Sequence, residues 1–212
     1  MMIKPACATA LILSLAACAG SPLPPDWQSN AHQSLNTFST AYLSGNSRLA
    51  EAEFQRARSE LARTGRFDRV ARAELVRCGI QLASLELNDC PGFAAISADA
   101  SAAERDYADF LQGKAVAPAL LPAQYQTMAA SKVALSRIDS ALSRLIAGGV
   151  LLRRGQLTAG DIAVAVDTAS AQGWRRPLLA WLEIQARQAA SQGDEKTAAQ
   201  ARRRAELSDG RR

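Results

Sequence analysis

From Asp26 onward the apolar residues recur three and four positions apart, with Gly, Pro, Asn or Asp between the runs. That period belongs to amphipathic helices, since half-buried strands alternate every second residue. A first helix is predicted from a cap at Asp26 or Ser29 to about Leu43, ended by Ser44-Gly45-Asn46-Ser47. A second runs from about Arg48 to Arg63 with Ala50, Phe54, Ala57 and Leu61 in one stripe. Thr64-Gly65-Arg66 separates it from a third helix over about Phe67 to Leu87, with Phe67, Ala71, Leu75, Cys78, Leu82 and Leu85 on one face. Asn88-Asp89-Cys90-Pro91-Gly92 is a strong turn signal.

The middle of the chain is less regular. Ser101-Ala102-Ala103-Glu104 has the form of a capping box and opens a helix to Leu111. Gly113 to Pro122 reads as a loop, and Pro122 to about Ala130 as a short helix. A longer helix is expected from about Val133 to Arg154, with Ile138, Leu142, Leu145, Gly149 and Leu152 on its apolar stripe. Thr158-Ala159-Gly160-Asp161 opens the next, which ends at Gln172-Gly173. Pro177 suits the first turn of a helix to about Gln192, and a last one spans about Glu195 to Leu207. The expectation is an all-α fold of eight or nine helices without a sheet, either a bundle or a short stack of antiparallel helix pairs.

Composition strengthens that picture. Alanine fills 44 of 212 positions and favours helices, because it loses almost no side-chain entropy there. A single histidine excludes a multi-histidine metal centre. Gly45, Ala50, Phe54 and Ala57 have the spacing of the Gly, Ala, aromatic and Ala positions of a tetratricopeptide repeat. Gly193, Ala198 and Ala205 repeat the spacing, with Arg202 in the aromatic place. The stretches resemble such repeats and lack the earlier Trp, Leu and Tyr of the full signature.

The residues before Asp26 carry a different message. Met1 to Pro5 hold one lysine and no acid, and Ala6 to Ala17 are uncharged and mostly apolar. Twelve helical residues rise about 18 Å, short of the roughly 30 Å hydrocarbon core, so the segment reads as a secretory signal. It ends Leu15-Ala16-Ala17-Cys18, which resembles the lipobox of bacterial lipoproteins. The resemblance implies cleavage after Ala17, lipidation of Cys18 and anchoring of the mature chain, with 1–17 removed. Two or more acyl chains give stable anchoring where one gives only marginal binding. Ala19, in place of the aspartate that retains such proteins in the inner membrane, implies an outer-membrane location. The body would face the periplasm or, after flipping, the cell surface. Residues 18–25 form a Pro-rich tether, 26–208 one helical domain and 209–212 a basic tail. The body also resembles proteobacterial helical lipoproteins, a likeness that supplies no mechanism.

With Cys7 in the signal and Cys18 lipidated, Cys78 and Cys90 remain as a pair in an oxidising compartment. Twelve residues of helix would set them about 18 Å apart. If the helix ends near Leu87 and the turn doubles back, the chain returns the Cα atoms to about the 5–6 Å of a disulfide. The densest run is Gln172 to Trp181, where Trp174 and Trp181 flank Arg175 and Arg176. It is either a packed inter-helix corner fixed by an Arg–Trp contact or a partner hot spot, for which Trp and Arg are the typical residues.

His32 stands alone, and Ser131-Lys132 are neighbours that point to different sides of a helix. No catalytic, cofactor-binding or metal-ligating constellation assembles from the sequence. The formal net charge is +5, and Arg202 to Arg212 carry five arginines against Glu206 and Asp209. A periplasmic location argues against nucleic acid as the partner; anionic lipid or an acidic protein remains. The functional expectation is a non-enzymatic adaptor or assembly factor for an envelope complex, attached to the membrane through Cys18. An envelope enzyme acting on peptidoglycan and a passive structural lipoprotein are the alternatives.

Overall fold

The computed structural model describes residues 24–130 and 134–210. Among them there are ten α-helices and no strand. The order is α1 Asp26–Ser44, α2 Ser47–Ala62, α3 Phe67–Ala83, α4 Pro91–Ala94, α5 Ala102–Leu111, α6 Ala123–Ala130, α7 Ala141–Arg153, α8 Ala159–Ala171, α9 Arg175–Ser191 and α10 Glu195–Asp209. Single 3-10 turns lie at Ser97–Asp99, Pro118–Leu120 and Leu135–Arg137. The count exceeds the expected eight or nine through the one-turn α4. Ser131 and Lys132 lie outside the described residues, as do the expected signal and Cys18.

Capping explains where the helices start. Asn46, Ser101, Ser140, Thr158 and Asp194 each accept the N–H three residues on, and Ser101–Glu104 and Thr158–Asp161 form full capping boxes. α1 departs from expectation. Pro25 is its cap residue and Asp26 lies inside, favourably placed against the helix dipole. At the helix ends, Gly45 (φ +92°) and Gly193 (φ +75°) take the left-handed conformation that reverses the chain between α1 and α2 and between α9 and α10.

α3 is the axis. Its Ala71, Leu75, Cys78 and Leu82 enter the larger core, shared with α5 through α9. Its Val70, Ala73 and Ile80 enter a second core with Phe38 and Tyr42 of α1 and Phe54 of α2. Phe67, expected on the buried face, is 54% exposed because it opens the helix ahead of both cores.

α7 packs against α3 at a distance only glycine permits. A Cβ on Gly149 would stand 2.6 Å from Leu82 Cγ and 2.8 Å from the Leu82 carbonyl oxygen. A Cβ on Gly148 would meet the Trp181 ring at 2.9 Å. Trp181 of α9 is fully buried, and its Nε1–H donates to the Ala83 carbonyl at 3.0 Å, satisfying the end of α3.

Two helix bounds differ from expectation for tertiary reasons. α3 stops at Ala83, four residues before Leu87, with Leu85 in the left-handed region (φ +59°). Leu85 N–H donates to Leu82 O and Glu86 N–H to Gln81 O, the pattern that glycine normally completes. Leu85 packs on the larger core, which offsets a cost of roughly 1–2 kcal/mol for a side chain there. The expected 133–154 helix is split: a turn at Leu135–Arg137 precedes Ser140, which caps α7. Arg144 holds the break by donating to the Ile138 carbonyl from Nε and Nη2, at 3.0 and 2.7 Å. α10 continues two residues past Leu207, to Asp209.

Two stability outcomes follow. Gly149→Ala should destabilise by about 1–3 kcal/mol in urea unfolding, because Leu82 and its carbonyl must shift. Gly160→Ala, whose nearest neighbour would be Thr158 Oγ1 at 3.8 Å, should be neutral or gain up to about 1 kcal/mol.

Candidate functional site: an apolar cleft between α3 and α7

The aromatic–arginine corner is a packed joint. Trp181 is wholly buried and Trp174 half-buried, so Trp181 is not available to a partner. The cation–π contact there joins Arg176 to Tyr42 (4.2 Å) instead of a tryptophan. Arg176 also donates to the Tyr42 carbonyl (2.8 Å) and to Ser47 Oγ (2.6 Å), clamping the α1–α2 turn to α9. Arg175 is exposed, and its guanidinium lies against Gly45, where an added Cβ would meet it at 3.0 Å. The four residues are therefore brought together as a structural corner, with Trp181 wholly inside, Trp174 and Arg176 partly buried and Arg175 exposed.

Cys78 and Cys90 are joined, with Cα atoms 5.4 Å apart. The doubling back occurs because α3 ends early and Cys90 takes a left-handed turn (φ +52°), stabilised by Asn88 Oδ1 accepting its N–H at 3.0 Å. Next to the bridge, Glu74 is 6% exposed and accepts from Arg58 Nε at 2.8 Å. Gly92 closes over that carboxylate; a Cβ there would fall 2.0 Å from Oε2. His32 is exposed, with Nε2 3.1 Å from the Asn36 amide. Among the described residues no three His, Cys, Asp or Glu side chains converge as a metal site would need, and no helix is long and apolar enough to cross a membrane.

A large apolar hollow lies elsewhere, walled mainly by helices and in part by the stretch before α6 that the sequence leaves as loop. A cleft of 540 Å³ opens between α3 and α7. This is within the ~300–1,000 Å³ range of small-molecule sites. Val76 and Ile80 line it from α3, Leu142 and Ile146 from α7, and Leu120 and Leu121 from the segment before α6. Val76 and Leu120 form an apolar rim, 42% and 51% exposed. Gly79 keeps the wall open, since a Cβ there would press on Ile146 Cδ1 at 3.2 Å.

Polar groups in the cleft are largely satisfied by one another. Tyr125, 1% exposed, interacts through its hydroxyl with Tyr107, Ser143 and Gln124. Its ring forms a cluster with Phe110 (4.9 Å) and Tyr107 (5.9 Å). Burial pushes the Tyr107 hydroxyl well above its ordinary value of 10, and the neighbouring Tyr125 adds to the shift. Tyr125 is raised too, by burial, so both remain neutral hydroxyls at physiological pH.

At the mouth, Arg72 Nε donates to Glu104 Oε1 at 3.0 Å; the Arg72 side chain is 72% exposed and that of Glu104 7%. Burial alone would raise the Glu104 carboxyl. The Ser101 backbone N–H, the Arg72 guanidinium and the Ser101 hydroxyl outweigh it and hold the carboxyl below 4.5.

The sequence holds one signal for this site. Leu120-Leu121 is an apolar pair inside a stretch bounded by Pro118 and Pro122, and two of the three tyrosines flank that stretch. Only the packing of α5 onto α3 and of α6 onto α7 turns these residues into a wall. Comparison of the chain with protein-family models, curated proteins and solved structures gives no match.

Glu104 sets an acid limit. Its carboxyl is lowered on folding, so its stabilisation is complete above 4.5 and is lost as pH falls through the folded value. Glu104→Gln should cost about 1–2 kcal/mol at pH 7, through the weakened cap and ion pair. In urea titrations the variant should lose less stability than the parent between pH 5 and about pH 3; an equal loss in both would remove Glu104 as the cause.

Proposed function

We propose that this chain is a lipid-anchored helical protein of the bacterial outer membrane that works by binding, as an adaptor or assembly factor for an envelope complex. The observation that carries the reading is Leu15-Ala16-Ala17-Cys18 behind an apolar signal-like run and ahead of a Pro-rich tether. Several features support it. α1 begins at Asp26, and Trp27 in its first turn lies under the Arg69 guanidinium at 4.6 Å. Seven residues from Ala19 to Pro25 could span at most some 20 Å if extended, so a lipid on Cys18 would keep the helical body close to the bilayer. Short-looped helix pairs, α1 with α2 and α9 with α10, favour the stacked-pair reading of the fold over an irregular bundle. Such stacks present extended surfaces for partners. The apolar cleft, whose polar lining is already hydrogen-bonded, suits a binding role better than acid–base or nucleophilic chemistry.

The test is metabolic labelling in a Gram-negative host with an alkyne analogue of palmitate, followed by membrane fractionation. The parent chain should take the label and sediment with outer membranes, and Cys18→Ser should lose the label and leave that fraction. Label retained by Cys18→Ser would sink the anchor. In-cell cross-linking of the labelled protein should capture a reproducible envelope protein, and a persistent uncomplexed monomer would sink the adaptor role.

A further inference from the structure

We propose that the α3–α7 cleft binds one acyl chain of an anionic single-chain amphiphile, with the chain between Val76, Ile80, Leu142 and Ile146 and the anionic head at Arg72. The membrane as the source of that amphiphile rests on the anchor reading above; occupancy of the cleft does not.

Size selects among occupants. One turn of helix, 5.4 Å long and 10–12 Å across, fills roughly 400–600 Å³. The 540 Å³ cleft therefore holds about one turn. A helix docked in a groove needs apolar anchors over at least two turns, i to i+7. A narrow, flexible chain meets no such limit. The lining also favours methylenes: Tyr107, Tyr125 and Ser143 already engage one another, and the other walls are chiefly aliphatic. A strongly polar ligand would have to break that hydroxyl network without replacing it.

Charge selects the head. Arg66, Arg69 and Arg72 follow one another on α3, and a second hollow of 250 Å³ shares Arg72 and Val76 with the cleft and adds Arg66 and Arg69. The facing acids are Asp68, 2.8 Å from Arg66, and Glu104, 3.0 Å from Arg72. Three cations therefore face two anions. Arg72 meets Glu104 through Nε and is 72% exposed, leaving the end of its guanidinium fork at the mouth. A carboxylate or phosphate there can accept from that fork.

Position points the same way. Trp27, one residue into α1, rests on Arg69. Three residues of helix, about 4.5 Å of rise, separate Arg69 from Arg72. The charged mouth is thus on the side where the chain enters α1, and a tethered body would hold it near the bilayer surface.

The test uses the full chain carrying Cys18→Ser, purified without detergent, with laurate and dodecanol as probes in isothermal titration calorimetry. Laurate should bind saturably at one per chain, and dodecanol several-fold more weakly. The difference should narrow in 0.5 M salt, where the Debye length falls to roughly 4 Å. Val76→Trp and Leu120→Asp, both at exposed rim positions, should each weaken laurate at least tenfold while the thermal midpoint is kept. Arg72→Gln should make the two probes bind alike. Absence of saturable laurate binding, partitioning at many equivalents, or equal affinity in both rim variants would overturn the cleft assignment. Equal affinity of laurate and dodecanol for the parent would overturn the role of Arg72. Laurate binding without palmitate labelling would retain the cleft and remove the membrane as its source; labelling without binding would do the reverse.

Discussion

The close approach of α7 to α3 at Gly148 and Gly149 governs the rest of the molecule. Gly149 lets Leu82 sit against the backbone of α7, and Gly148 leaves a notch that the Trp181 ring fills. Once seated there, Trp181 caps the Ala83 carbonyl, which fixes α9 across the end of α3. The same contact brings Arg176 to the α1–α2 turn, adding a second tie between α9 and the N-terminal helices. The contact also helps to set the spacing of α3 and α7 farther along, where Gly79 faces Ile146 and the cleft opens.

Arginine has a structural part in this chain that net charge does not convey. Arg144, Arg153, Arg154 and Arg176 donate to main-chain carbonyls of Ile138, Asn88, Gly113 and Tyr42. Each of these carbonyls lies at a chain reversal or helix end, where the helical ladder is incomplete; that of Tyr42 also accepts from the Gly45 N–H. The planar guanidinium, with several donors on a long stem, suits such positions better than lysine does. Arg153 and Arg154, at the C-terminal end of α7, tie two separate loops to it. The basic excess is thus partly internal scaffolding. The arginines on α3 that line the mouth of the cleft are a separate group.

How far the sequence could be read varied with the kind of signal. Helix starts were legible at Ser101 and Thr158, because a capping box is a local hydrogen-bond pattern. The Cys78–Cys90 bridge was legible because the distance arithmetic leaves one solution, a reversal between them. The α3 end was not legible, since Leu85 adopts a glycine-like conformation only where the larger core holds it. The split before α7 was not legible either: Ile138 and Leu142 continue a helical stripe, and the break depends on Arg144 reaching back to a carbonyl. The Trp174–Trp181 run was conspicuous in sequence, but composition does not distinguish a buried joint from an exposed contact. Of the cleft only the Leu120-Leu121 pair was conspicuous, because its walls come from four segments whose meeting no local pattern encodes.

The sequence by itself determined that the described body is helical, where most of its turns fall, and that an uncharged, mostly apolar run ending in Leu15-Ala16-Ala17-Cys18 precedes it. Those are properties of neighbours along the chain: helical period, capping, turn residues and apolar run length. Tertiary structure decided which aromatic residues are spent inside and which faces stay open. Trp181 was withdrawn into the Gly148 notch, while Val76 and Leu120 were left at the rim of a cleft. The physical reason is that burial depends on how closely two helices approach, and that distance was set by glycines far from either residue in sequence.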